Sequence, residues 1–267
     1  MRSPLVLSAC LSCLGCFAVV LAACGGDDPT PSGSSSGASS TSSSGGTSSG
    51  GSTSSSSGGT SSGGSSGGAP WSTTPKDGIA TYYDADGSGN CSFDKSPGDL
   101  DVVALNPEEY AKSAACGGCL KVTGPSGDVT VRVVDSCPGC ATGHLDLSKE
   151  AFAKIAELKA GRVSITYQGV ACGVSGNMSY RFKDGSSKFW TAIQVLNHRV
   201  PIEKLEYEKA GAWVAMKRES YNYFVESKGV GVSSDLKVRA TGVNGQVVED
   251  TLATVGDGNT VAGAGQL

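Results

Sequence analysis

Val133-Val134-Asp135-Ser136-Cys137-Pro138-Gly139-Cys140, followed after two residues by Gly143-His144-Leu145-Asp146-Leu147-Ser148, is the most informative run in this 267-residue chain. Asp135 closes a strand-like segment, Asp128 to Val134, in which apolar and polar residues alternate at period two. Asp146 sits between two leucines just before a helix start that Ser148 caps. A carboxylate flanked by apolar side chains is expected to lose hydration, which raises its pKa and suits a general acid at a glycosidic oxygen. The competing role for Asp146 is purely structural, as an acceptor for backbone donors near the helix start.

Outward from that run, further short strands are expected at Ala80–Tyr83, Leu120–Thr123 and Arg162–Tyr167, with a turn at Gly124-Pro125-Ser126-Gly127. Asn106-Pro107-Glu108-Glu109 reads as a capped helix start. A second helix follows Ser148, with Phe152, Ile155 and Leu158 on one face and Gly161 closing it. Short strands with two short helices imply a small barrel. From about residue 177 the pattern is wholly β, with strands expected at Met178–Phe182, Trp190–Leu196, Ile202–Tyr207, Ala212–Lys217, Tyr221–Glu226, Leu236–Ala240 and Val247–Thr251. Asn244-Gly245 is a strong hairpin signal. Strands at this spacing suggest an immunoglobulin-like β-sandwich. Gly256 to Leu267 shows little reason for order, and Trp213, on an alternating strand, is expected in the core.

Residues 1–24 read as an export signal: Arg2, an apolar run, then Leu21-Ala22-Ala23-Cys24, the pattern at which bacterial lipoproteins are cut and acylated on cysteine. Residues 25–70 are almost wholly Ser, Gly and Thr, too poor in apolar groups to fold and with an r.m.s. reach of roughly 35–40 Å, and the linker is expected to run to residue 75. Fourteen of the chain's 39 glycines lie there. A net charge of −4 excludes a general nucleic-acid binder. Membrane contact is expected only through the lipid on Cys24, with the protein at the outer membrane or cell surface, or released. Six of the ten cysteines lie beyond the signal, at 91, 116, 119, 137, 140 and 172. In an exported chain an even set points to three disulfides, although the two C-x-x-C pairs also have zinc-ribbon spacing. None follows residue 172, so the chain divides into a barrel domain over 76–175 and a cysteine-free sandwich over 176–267.

Together with Gly78-Ile79-Ala80-Thr81-Tyr82-Tyr83 and Cys116-Gly117-Gly118-Cys119, the Asp135 and Asp146 runs resemble expansins. Asn177 to Phe182, Ser186 to Trp190, Ala192 to Val195 and Ser220-Tyr221-Asn222 resemble the bacterial expansin-like proteins. The resemblance implies a six-stranded double-psi β-barrel joined to an immunoglobulin-like β-sandwich that binds cellulose. It implies non-hydrolytic loosening of plant cell walls by a monomer with no cofactor and no metal, acting on cellulose and other wall glucans. Thr81, Asp135 and Asp146 would line the barrel groove, and Phe189, Trp190 and Tyr221 would form an aromatic platform with Lys183 beside it. Phe189 and Trp190 are adjacent, so one of the two is open to a core role. Related barrels suggest the pairs Cys91–Cys116 and Cys119–Cys172, leaving Cys137–Cys140. Cys137 stands where many bacterial members carry a groove tyrosine.

Two other readings remain at this level. An inverting β-1,4-endoglucanase would use Asp146 as acid and Asp84 or Asp86, in a turn expected to be flexible and solvated, as base. A peptidoglycan-directed lytic or binding factor is possible on the same barrel.

Overall fold

The computed structural model describes residues 71–267. Cys24, the export signal and the linker as far as residue 70 lie outside the described residues. Six strands close into a barrel: β1 (Lys76–Tyr83), β2 (Val102–Leu105), β3 (Cys119–Gly124), β4 (Gly127–Ser136), β5 (His144–Ser148) and β6 (Val163–Val170). Their order around the barrel is β1-β5-β2-β4-β3-β6. The β1/β5 and β2/β4 pairs are parallel and the remaining pairs antiparallel. Alternation sends Val129, Val131 and Val133 inward from β4, and Leu145 and Leu147 inward from β5.

Helix α1 (Pro107–Tyr110) begins where Asn106 Oδ1 accepts from the Glu109 amide at 3.0 Å. Helix α2 (Lys149–Ile155) begins where Ser148 Oγ accepts from the Ala151 amide at 3.0 Å. Phe152 and Ile155 bury fully against the barrel. The helix stops at Ile155, earlier than the sequence pattern implies. Ala156 is extended, and the Ile155 carbonyl accepts from the Ser126 amide of the β3–β4 turn. Leu158 is consequently exposed rather than on the buried face, and Gly161 ends only a short 3₁₀ turn.

The second half forms two sheets. One orders β10 (Ala212–Ala215), β9 (Ile202–Lys209), β13 (Leu236–Gly242) and β14 (Val247–Leu252). The other orders β11 (Lys217–Arg218), β12 (Phe224–Glu226), β8 (Thr191–Leu196), β7 (Ser179–Phe182) and β15 (Thr260–Ala262). Tyr180, Phe182, Ile193, Leu205, Tyr207 and Val238 fill the space between them. The Asn244-Gly245 turn joins β13 to β14, with Gly245 at φ +79°.

Two expectations fail here. The last residues are not idle: β15 pairs with β7, the Ala264 amide donates to Asp250, and Leu267 is buried in the sandwich core. Trp213 is not core. Its register opposite Glu208 sets it on the outer face with Glu206 and Arg239, while Val214, opposite Tyr207, turns inward. The Arg239 guanidinium lies 4.6 Å from the Trp213 ring centroid.

The cysteines pair as Cys91–Cys116, Cys119–Cys172 and Cys137–Cys140, which removes the zinc-ribbon reading. Barrel and sandwich meet through buried polar contacts. Tyr110 and Ser113 donate to the carbonyls of Ser220 and Glu219 at 2.9 and 2.7 Å. Gln194 and Asn222 both donate to the Cys91 carbonyl, at 2.8 and 3.2 Å.

Candidate functional site

Thr81 and Asp146 face each other in the parallel register of β1 and β5. The Thr81 hydroxyl donates to Asp146 Oδ1 at 2.5 Å and lies 2.8 Å from His144 Nε2. Its single proton is committed to Asp146, so it accepts from Nε2–H and sets the His144 tautomer. Burial lowers the His144 pKa, and nearby Arg162 lowers it further while Asp146 opposes. The strand's alternation separates Asp146 from Leu145 and Leu147, which are fully buried on the opposite side. The flanking leucines therefore do not surround the carboxylate. Its neighbours are the hydroxyl and the imidazole.

Asp135 is held at the end of β4. Its Oδ1 accepts from the amides of Asn90 and Ser136 at 2.7 and 2.8 Å. Gly89 makes this possible, because a Cβ there would lie 2.5 Å from Asp135 Cβ and Cγ. Tyr83, two residues beyond Thr81 on the same face of β1, is a site residue that the sequence reading passed over. Its hydroxyl is buried without a hydrogen-bond partner. Burial raises its pKa, and the charges of Asp135, Asp146 and Asp86 raise it further. Thr81, His144 and Asp146 are thus joined by hydrogen bonds, and Tyr83 lies close enough to feel the charges of both Asp135 and Asp146. The i, i+2 spacing of Thr81 with Tyr83, and of His144 with Asp146, was the available signal.

The candidate bases are otherwise occupied. Asp84 projects into solvent and pairs with Lys149 at 2.5 Å. Asp86 accepts from the Ser88 hydroxyl and amide at 2.5 and 3.0 Å and pairs with Lys95 at 2.9 Å. Those hydrogen bonds, Ser88 first, hold its carboxyl at about 2. The turn is not the loose, solvated loop expected: the Asp86 carbonyl accepts from Ser96, and Ser96 packs where a side chain on Gly87 (φ +90°) would stand.

On the sandwich, Phe189 is 73% exposed, which excludes a core role. It occupies the tip of a turn in which the Ser187 amide donates to the Trp190 carbonyl at 2.7 Å, and Thr191 Oγ1 donates to the Ser187 carbonyl at 2.8 Å. Gly229 (φ +70°) backs this turn so closely that a Cβ would strike the Lys188 carbonyl. Trp190 and Tyr221 are half-buried. Tyr221 lies tilted against Tyr223, centroids 5.9 Å apart, and the Lys183 ammonium stands 5.4 Å from the Tyr223 ring. Asn222, in the left-handed region at φ 64°, pins the Tyr221 loop to the Cys91 carbonyl. That carbonyl is one residue from the Asn90 amide that holds Asp135, so the Tyr221 loop and Asp135 share an anchor.

A family model described as "Lytic transglycolase" matches residues 102–167, within the barrel. Expansin-YoaJ of Bacillus subtilis (strain 168) is 43% identical over 189 residues, covering 69% of this chain and 81% of that protein. Expansin-like protein 5 of Dictyostelium discoideum is 32% identical over 200 residues, covering 70% and 83%. Among solved structures, a mutant expansin of Clavibacter michiganensis in complex with cellohexaose superimposes with a TM-score of 0.67 at 34% identity, covering 72% of this chain and 98% of that one.

Proposed function

Because the chain belongs to the expansin family, we propose that it loosens plant cell walls without hydrolysing them, by binding cellulose and matrix glucans and disrupting their non-covalent association. In this reading Thr81, Asp135 and Asp146 engage a glucan in the barrel groove, with Tyr83 and His144 beside them. Phe189, Trp190 and Tyr221 stack on the flat faces of the sugar rings, and Lys183 donates to hydroxyls. The Clavibacter complex with cellohexaose supports a cellulose-type ligand. Export as a lipoprotein, with Cys24 acylated and the Ser/Gly-rich segment as tether, would display the protein as a monomer at the cell surface.

The observation that carries the non-hydrolytic reading is the fate of the candidate bases. Inverting hydrolysis needs a second carboxylate about 6.5–9.5 Å from the acid, free to activate water. Asp86 is tied to Ser88 and Lys95, and a carboxyl held at about 2 is a weak base, while Asp84 projects away into solvent beside Lys149. The test is incubation with a cellulose network, scored together for mechanical weakening and reducing sugar. Weakening without sugar above background is expected. Sustained sugar release that disappears in Asp146→Asn and in Asp84→Asn or Asp86→Asn would establish the endoglucanase instead.

A further inference from the structure

A cleft of about 320 Å³ opens where the barrel meets the sandwich, and it shares no residue with the Thr81–Asp146 groove or the aromatic surface. Arg132 enters it from β4, whose alternation sends Val131 and Val133 into the barrel and Arg132 outward. The guanidinium lies over Phe93, 5.4 Å from the ring centroid. Its hydrogen bonding is incomplete. Nη2 reaches Ser96 Oγ at 3.4 Å and Asp99 at 3.8 Å, and Nε is buried with no partner. Nη1 makes no hydrogen bond among the described residues. The other arginines at this junction are engaged: Arg181 with Gln194, Ser92 and Asp94, and Arg218 with Ser113 and Ile202. A guanidinium has five donors and favours planar, bidentate acceptors. Asp99 is largely exposed, so its long contact is well screened and yields readily to a closer anion.

The rest of the cleft offers acceptors and an apolar floor. Asn197 spends its Nδ2 on the carbonyls of Ser175 and Asn177, which leaves Oδ1 to accept. His198 places Nδ1 2.7 Å from the Val200 carbonyl and so carries its proton there. Burial, reinforced by Arg218 and Arg132, holds its pKa at about 4, which keeps the ring neutral and Nε2 an acceptor. Val174 and Leu196 also line it, as does Asp94, whose charge Arg181 neutralises at 2.7 Å, and Lys95 at the rim is paired with Asp86.

One incompletely paired guanidinium, an amide oxygen free to accept and the apolar Val174 and Leu196 side chains together match a sugar ring that bears a carboxylate. The geometry points to a uronate-binding site in this cleft, with the carboxylate on Arg132 and a ring hydroxyl on Asn197 Oδ1. The site is separate from the cellulose surface and rests on the wall-polysaccharide reading only for the source of its ligand. That source is either a galacturonate backbone or a glucuronate branch on xylan.

The test is titration of the full chain with tetragalacturonate, with glucuronate-substituted xylotetraose and with cellotetraose, alongside a depletion isotherm on cellulose. At least one acidic oligosaccharide should bind, and more weakly as salt rises. Arg132→Gln should weaken that binding by about tenfold or more, the scale of a lost charge-assisted bond. Val174→Asp, which adds a carboxylate to the cleft and removes none of these hydrogen bonds, should weaken it as much. The cellulose isotherm should be unchanged in both. Failure of both acidic oligosaccharides to bind the parent, or undiminished binding by both variants, would overturn the site. Loss of cellulose binding by the parent would instead count against the aromatic surface.

Discussion

Asp146, Thr81 and His144 form a chain in which one hydroxyl joins a carboxylate to an imidazole. Thr81→Val keeps the shape and removes the hydroxyl, leaving two partners unpaired. It should abolish or strongly reduce loosening, leave cellulose binding intact, and cost about 1–3 kcal/mol of stability, read by denaturant unfolding. A second residue-level prediction concerns His198, which is 3% exposed. Burial lowers its pKa to about 4, against about 6.5 when unfolded. The unfolded chain therefore binds more protons between those values. The stability it contributes is fully present above about pH 6.5 and is lost as pH falls toward 4, by roughly 3 kcal/mol. His198→Gln should flatten that slope, measured as unfolding free energy against pH. At this scale the sequence was partly legible. Asp146, Asp135 and Thr81 were legible only through the resemblance, and the β1/β5 register sets Thr81 beside Asp146. Tyr83 and His144 were not assigned, because their roles depend on which strands become neighbours. Trp213 was misplaced because alternation alone does not say which face of an edge strand is covered.

Turns, more than strands, determine where the site residues point. The Ser187–Trp190 turn projects Phe189 outward, and its backing by Gly229 allows no side chain. Gly229→Ala should displace the turn and weaken cellulose binding without removing an aromatic ring, because a left-handed alanine in that contact costs of order 1–3 kcal/mol. By depletion isotherm, Trp190→Ala with Tyr221→Ala should weaken binding by roughly 30- to 150-fold if two stacking contacts add, and Phe189→Ala alone by roughly fivefold. Exposure at a turn tip, as at Phe189, is invisible to strand periodicity. The strands themselves were readable from alternation and from Asn244-Gly245. The end of α2 was not, because Ile155 gives its carbonyl to a turn some 30 residues earlier in the chain. The β15 strand was not either, because its three residues become a strand only by pairing with β7.

Across the whole molecule, the Cys91 carbonyl couples the groove to the aromatic surface through Gln194 and Asn222, and the Cys91–Cys116 bond fixes that segment to the barrel. The bridges Cys91–Cys116 and Cys119–Cys172 span 25 and 53 residues. In the chain-entropy model they contribute about 3.5 and 4 kcal/mol, whereas Cys137–Cys140 closes too short a loop to add much. Reduction should therefore lower the barrel's stability sharply, followed by denaturant unfolding with and without reductant. Substituting Cys137 and Cys140 by Ala should change it little. The lack of cysteines in the sandwich invites treating it as a free-standing module, but its junction with the barrel buries Gln194, Asn222 and His198, which separation would expose. The proposed function divides the labour: Asp146 and its neighbours loosen, and the aromatic side chains hold. The measurement that tests it most directly is creep of heat-killed wall strips loaded with equal bound amounts of parent and Asp146→Asn protein. Equal binding isotherms are expected, with creep only in the parent-loaded strips. Creep by a folded Asp146→Asn variant equal to that of the parent would contradict it.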